Sequence, residues 1–178
     1  MGLRTSPMSE VHFTDCRVGE DAILGKRGAG LAIFNHSMDW ERSFILATAV
    51  GTMQRQLDRC VEYAQERHQF GNPIGKYQAV SHRLVEMKLR LKAVRLALYH
   101  LGWLKDQGRA TPSESAEVKI AISEAYVQSS LDALYVHGGY GYVAESGLER
   151  ELRDAIASKI YSGTSDVLRN VVANHMGL

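Results

Sequence analysis

Three prolines in 178 residues, Pro7, Pro73 and Pro112, set the strongest limit on what this chain can fold into. Proline removes a backbone donor and breaks helices, so the long proline-free stretches are open to helix. The apolar residues use that freedom. Leu46, Val50, Met53, Leu57, Cys60, Val61 and Ala64 recur at steps of three and four, the spacing of one helix face. Phe70-Gly71-Asn72-Pro73 predicts the stop of that helix. Leu84, Met87, Leu91, Val94, Leu98 and Leu101 form a second stripe that ends at Gln107-Gly108. Thr111-Pro112-Ser113-Glu114 then reads as an N-cap, a proline at N1 and a capping-box glutamate. The third helix carries Ile120, Val127, Leu131 and Leu134 and closes at Gly138-Gly139. A fourth runs from about Glu149 to Val172, interrupted at Ser162-Gly163-Thr164. Long amphipathic helices with short connections predict a mainly α fold, an up-and-down four-helix bundle over residues 28–178.

Residues 1–27 read differently. Val11, Phe13 and Cys16 alternate with His12, Thr14 and Asp15, as in a short strand, and Gly19, Gly25, Gly28 and Gly30 follow. The pattern predicts a short N-terminal β segment. An isolated hairpin is marginal in water, so such strands need a partner.

Composition removes several function classes. The chain is 45% hydrophobic, enough for one real core, and its net charge of +1 gives no support for nucleic-acid binding or for disorder. Cys16 and Cys60 make no disulfide framework, Met1–Glu10 has no signal-peptide core, and no apolar run suffices to span a bilayer. The expected setting is reducing, cytoplasmic and soluble.

Taken one at a time, the polar motifs are weak. His82 and Glu86 share a helix face but lack a third metal ligand, so a solvated face is the plainer reading. His137-Gly138-Gly139-Tyr140-Gly141-Tyr142 follows a helix rather than a strand; it suits a C-cap, or a surface that lets a polar molecule approach the backbone. Arg67-His68-Gln69-Phe70-Gly71 offers a cation and a ring that would suit a phosphate or a base, against the plainer pairing of a solvated arginine with a core phenylalanine. Asp39-Trp40-Glu41-Arg42 supplies a general base only if Glu41 is partly buried.

Together and in this order, these segments resemble the C-terminal part of an acyl-CoA dehydrogenase over essentially the whole chain. Leu3-Arg4-Thr5-Ser6-Pro7 and Val11 to Val18 resemble the last strands of that family's middle β-domain, which makes residues 1–27 a remnant of it. Arg67 to Gly71, His137 to Tyr142, Arg153-Asp154 and Ile160 to Ser165 resemble its C-terminal helical domain. The resemblance implies FAD and oxidation of an acyl-CoA or acyl-carrier-protein thioester to its 2,3-enoyl form. It also implies an electron acceptor such as an electron-transfer flavoprotein, and a dimer or tetramer sharing FAD between subunits. Many members take the base from Tyr-Glu-Gly-Thr, which here reads Tyr161-Ser162-Gly163-Thr164. The isovaleryl and long-chain branch takes it from Asp-x-Glu-Arg, so the resemblance assigns the base to Glu41 and the substrate side to Asp39, Trp40, Arg42, Ser162 and Gly163. It assigns Arg67, Phe70, Gln78 and Val136, His137, Gly138 and Gly139 to the FAD of a neighbouring subunit, and Thr164, Ser165 and Asp166 to FAD within the subunit. Tyr135 departs from the family's usual glutamine.

Members of the family are roughly twice as long. The resemblance therefore implies a half enzyme that neither holds FAD tightly nor turns over alone, and a possible partner in a separate N-terminal half. The rival expectation is a catalytically inactive helical module that oligomerises through the old FAD-sharing faces. Retention of Glu41, Arg67, Gln78 and Thr164 together favours the enzyme.

Overall fold

The computed structural model describes residues 1–178, and its body is helical. The helices are α1 (Gly30–Phe44), α2 (Ala47–Glu66), α3 (Gln78–Asp106), α4 (Pro112–His137), α5 (Gly139–Tyr142), α6 (Leu148–Ala157) and α7 (Ser165–His175). The expected bundle is present, with two refinements. The first long helix is preceded by α1, which ends in a turn at Ile45-Leu46. The last is split into α6 and α7 at the anticipated break. No helix is long and apolar enough to cross a membrane.

Helix α4 is the axis, packing against α1, α2, α3, α6 and α7. The stripes expected on α2 and α3 supply the core, except that Val61 is exposed and Leu84 only half-buried. Met53, Cys60, Met87, Leu91 and Leu101 are all buried in one cluster that α4 completes with Val118, Ile122, Ala125, Tyr126 and Val136. Truncating a residue such as Leu101 to alanine would cost about 2–5 kcal/mol. The stripe expected on α4 needs correction. Ile120, Val127, Leu131 and Leu134 are only half-buried, while the deepest positions are mainly small or polar, among them Ser115, Ala116, Ser123, Ser129, Ser130 and Ala133. A helix enclosed on several sides has no single apolar stripe, and small side chains let its neighbours approach.

Three further expectations change. Helix α2 stops at Glu66 because residues 68–73 form a hairpin, β1 (His68–Gln69) antiparallel to β2 (Asn72–Pro73). Phe70 and Gly71 turn it with φ of 50° and 83°, the paired positive values of a type I′ turn. Thr111 precedes Pro112 as expected, but its side chain makes no cap bond, so the capping box with Glu114 does not form. The N-terminal β segment is absent: residues 1–27 contain no strand, only a one-turn 3₁₀ helix at Glu20–Ala22. The alternating residues have no strand to pair with, and Val11 and Phe13 are exposed. The first few residues dock on α6. Leu3 N donates to Asp154 Oδ1 at 2.6 Å and Arg153 Nη1 donates to the Met1 carbonyl at 2.7 Å. Gly2 lies so close that an added Cβ would stand 2.4 Å from the Arg153 carbonyl oxygen.

Candidate active site

The chain builds two regions of interest, near opposite ends of α4. The first gathers the end of α1, the first half of α4 and the turn between α6 and α7. Glu41 is partly buried there, and Ser162 Oγ donates a hydrogen bond to its Oε1. The two positions that can carry the base in the resembling family are thus in direct contact across 121 residues of sequence. Ser162 and Gly163 have φ of 57° and 92°, so the turn is left-handed at two successive residues and strained at the serine. Arg42 Nε donates to the Ser162 carbonyl at 3.3 Å, and Lys119 Nζ donates to the Gly163 carbonyl at 2.8 Å. A Cβ on Gly163 would press to 3.1 Å from Leu168 Cδ2.

The other expected residues of this end divide by role. Asp39 is committed to structure: Lys105 Nζ pairs with its Oδ2 and Ser115 Oγ donates to its Oδ1 at 2.7 Å. Trp40 is half-exposed, with the Lys105 ammonium 4.9 Å from its ring centroid. Thr164 caps α7, its Oγ1 accepting from Val167 N at 3.2 Å. Ser165 is buried toward Ser123, whereas Asp166 is exposed beside Arg169. Sequence reasoning missed Lys119, Lys105 and Ser115. The available signal was a lysine on the buried α4 spacing Ser115, Lys119, Ile122, Tyr126.

The second region lies at the C-terminal end of α4. Counting from Lys119 to His137 at 1.5 Å per residue puts it about 27 Å away along the helix. Tyr63, Arg67, Gln69 and the stretch from Tyr135 to Tyr140 line an open groove of about 570 Å³. Arg67 lies 5.7 Å from the Tyr140 ring centroid, and Arg83 lies 4.9 Å from that of Tyr135. Gly138 ends α4 at φ 57°, and a Cβ on Gly138 or Gly139 would meet nothing within 4 Å, so both open onto free space. Val136 lines the groove but is itself buried. His137 stacks on Tyr63 at 4.3 Å and its Nδ1 donates to the Ala133 carbonyl at 2.9 Å. Burial pushes the His137 imidazole below its ordinary pKa, the Ala133 hydrogen bond opposes this, and the nearby Arg59 charge adds to the lowering. Phe70, at 91% exposure, and the exposed Gln78 stand outside the groove lining, on the hairpin tip and at the start of α3.

This groove fits a dinucleotide such as FAD. Its lining carries the cation of Arg67 and no carboxylate, together with tyrosine rings and an unobstructed glycine backbone. Arginine and bare backbone suit phosphate, and the rings suit a stacked heterocycle.

Comparison with known proteins identifies the family. Residues 28–177 match the family model "Acyl-CoA dehydrogenase, C-terminal domain". The L-prolyl-[peptidyl-carrier protein] dehydrogenase of Pseudomonas fluorescens is 46% identical over 176 residues, which cover 99% of this chain and 46% of the relative. Among solved structures, the prolyl acyl carrier protein oxidase AnaB superposes with a TM-score of 0.91 at 53% identity, covering 93% of this chain and 44% of that one. PigA with FAD and proline gives 0.91 at 43% identity, over 93% and 43%. The chain spans less than half the length of the relatives it matches.

Proposed function

The chain belongs to the acyl-CoA dehydrogenase family, as its C-terminal domain, and from that premise we propose that it supplies the catalytic base, and part of the FAD site, of an enzyme that dehydrogenates an acyl thioester. The observation that carries this reading is the contact between Ser162 Oγ and Glu41 Oε1. A serine where many members have the base would otherwise argue for a dead enzyme. Here it donates to a carboxylate on α1, leaving the other carboxylate oxygen for a substrate.

The chemistry of this chain's own residues is then specific. A thioester carbonyl acidifies the neighbouring α-C–H, and Glu41 takes that proton. The half-buried setting of Glu41 limits water around the carboxylate, which favours proton abstraction from carbon. Ser162 holds the carboxylate in one orientation through the transfer. FAD, when bound, supplies the acceptor for the hydride that leaves the adjacent carbon. Arg67, the backbone of Val136 to Gly139 and Tyr140 would hold its charged and ring portions in the groove, with Phe70 and Gln78 alongside. Thr164 and Asp166 would meet it from the other region. The separation of about 27 Å along α4 supports a homo-oligomer in which the two regions of one subunit serve different FAD molecules.

On substrate, the relatives favour a prolyl group on a carrier protein. The P. fluorescens relative and AnaB are both described as acting on carrier-bound prolyl groups. The test uses the FAD-loaded enzyme that contains this sequence, mixed without oxygen with an L-prolyl carrier-protein thioester or with butyryl-CoA. The prolyl thioester is expected to bleach the flavin's visible band. Bleaching by butyryl-CoA alone would move the substrate to CoA thioesters. Bleaching by neither would overturn the dehydrogenase reading and leave the helical interaction module.

A further inference from the structure

Lys119 is the largest side chain with no solvent exposure, and none of the chemistry above uses it. It sits on the enclosed face of α4, where a methionine would fill a similar volume without a charge. Its ammonium is answered by the Gly163 carbonyl at 2.8 Å and by the Tyr161 ring, 5.8 Å from the centroid, and not by a carboxylate. Desolvation, helped by the neighbouring Arg42 charge, lowers its pKa to about 8. A buried cation with so little compensation weakens the fold relative to a well-packed apolar residue. Stability therefore does not account for it.

The position of its one hydrogen bond does. Ser162 and Gly163 are the two left-handed residues of the turn. Their successive carbonyls each accept from a cation, one on α1 and one on α4. Arg42 stands next to the base in sequence, whereas Lys119 reaches the turn from the opposite helix. Between them they hold a strained turn that has no regular backbone ladder of its own. The Ser162 hydroxyl on that turn is the group that meets Glu41.

We propose that Lys119 is a positioning residue for the base: by donating to the Gly163 carbonyl it keeps the Ser162–Gly163 turn in the left-handed geometry that brings Ser162 Oγ onto Glu41. The proposal rests on the reading of Glu41 as base. Lys119 touches no reacting atom and acts through Ser162.

The test compares Lys119→Met, Ser162→Ala and the double variant in the FAD-loaded enzyme that contains this sequence. Misplacement of a reacting group by about 1 Å costs on the order of 10²-fold. Lys119→Met is expected to lower kcat by roughly that factor, with KM within about threefold and FAD content unchanged. The α-deuterium isotope effect on kcat rises, because proton abstraction becomes more rate-limiting; loss of packing alone would not raise it. The double variant is expected to be no slower than the worse single one, since both changes act through one turn. Unchanged kcat and isotope effect in Lys119→Met, or independent additive losses, would overturn the proposal. Should Lys119→Met not fold, Lys119→Gln, too short to reach the carbonyl, is judged by the same criteria. Independently of turnover, hydrogen exchange over residues 159–166 must quicken in the variant while α2 stays unchanged; equal exchange there also overturns it. Glu41→Gln separates the two ideas. If it keeps turnover, the base reading falls. If it is inactive while Lys119→Met behaves as wild type, only the positioning role falls.

Discussion

The two ends of α4 are built on opposite plans. At the base end nearly every polar group is answered within the chain: Ser162 by Glu41, two turn carbonyls by Arg42 and Lys119, and Asp39 by Lys105 and Ser115. At the groove end the glycines face open space and Tyr135 and Tyr140 are mostly exposed, each with an arginine against its ring. The first plan fixes an orientation in advance of any ligand. The second offers a surface that a ligand must complete. A site that moves a proton needs its geometry set beforehand, while a site that holds a cofactor gains by having room to receive it.

Substitutions at each end put this contrast to the test. The largest effect is expected from Glu41→Gln: turnover drops by about 10³-fold while FAD stays bound, as absorbance of the desalted protein will show. Loss of FAD in that variant would mean that the two ends are not separable. Arg67→Ala does the reverse and weakens FAD binding about tenfold in a flavin titration, with the isotope effect on α-proton removal unchanged. Next comes a stability difference with pH. Lys119 titrates near 8 in the fold and near 10.5 when unfolded. Between those values the unfolded chain holds a proton that the native chain has lost, so stability rises with pH, on the order of 1 kcal/mol. Arg42 and Tyr161, the charged and titratable neighbours of that ammonium, do not reverse the sign, since burial dominates. Urea midpoints at pH 8 and pH 10 check the rise, and Lys119→Met should flatten it. The smallest effect belongs to the groove end. His137 is held below its ordinary value of 6.5, so the unfolded chain takes up the proton first as pH falls and stability declines below about pH 6.5. The decline should vanish in His137→Gln, measured by the same titration.

The fold was largely legible in the sequence. Apart from exposed Val61 and half-buried Leu84, the α2 and α3 stripes coincide with buried residues, and Gly138 and the 162–164 interruption mark real helix ends. The failures have physical causes. A strand pattern in residues 1–27 cannot become a strand without a partner, and periodicity carries no information about partners. The α4 stripe misled because an enclosed helix is marked by its serines and alanines as much as by its leucines. At the site, resemblance supplied the residue positions, and the structure added what no local pattern encodes. It showed that Ser162 reaches Glu41, that Asp39 is tied to Lys105, and that Lys119 donates to a carbonyl of the turn.

The central placement of α4 also bears on how the molecule assembles. Its deepest residues are mainly small or polar, so it brings fewer large apolar side chains to an early collapse than α2 and α3, which are neighbours in sequence and carry buried leucines and methionines. Local contacts between large side chains form first, because their loop-closure cost is low. The helical hairpin α2–α3 is therefore expected to gain amide protection first in pulse-labelled refolding, with α4 closing into it afterwards. Glu41's surroundings depend on Ser115, Lys119 and the turn beyond α6, all of which wait for that closure. The contact of Ser162 with Glu41 should then form after the helical signal has recovered, among the last features the chain acquires as it folds.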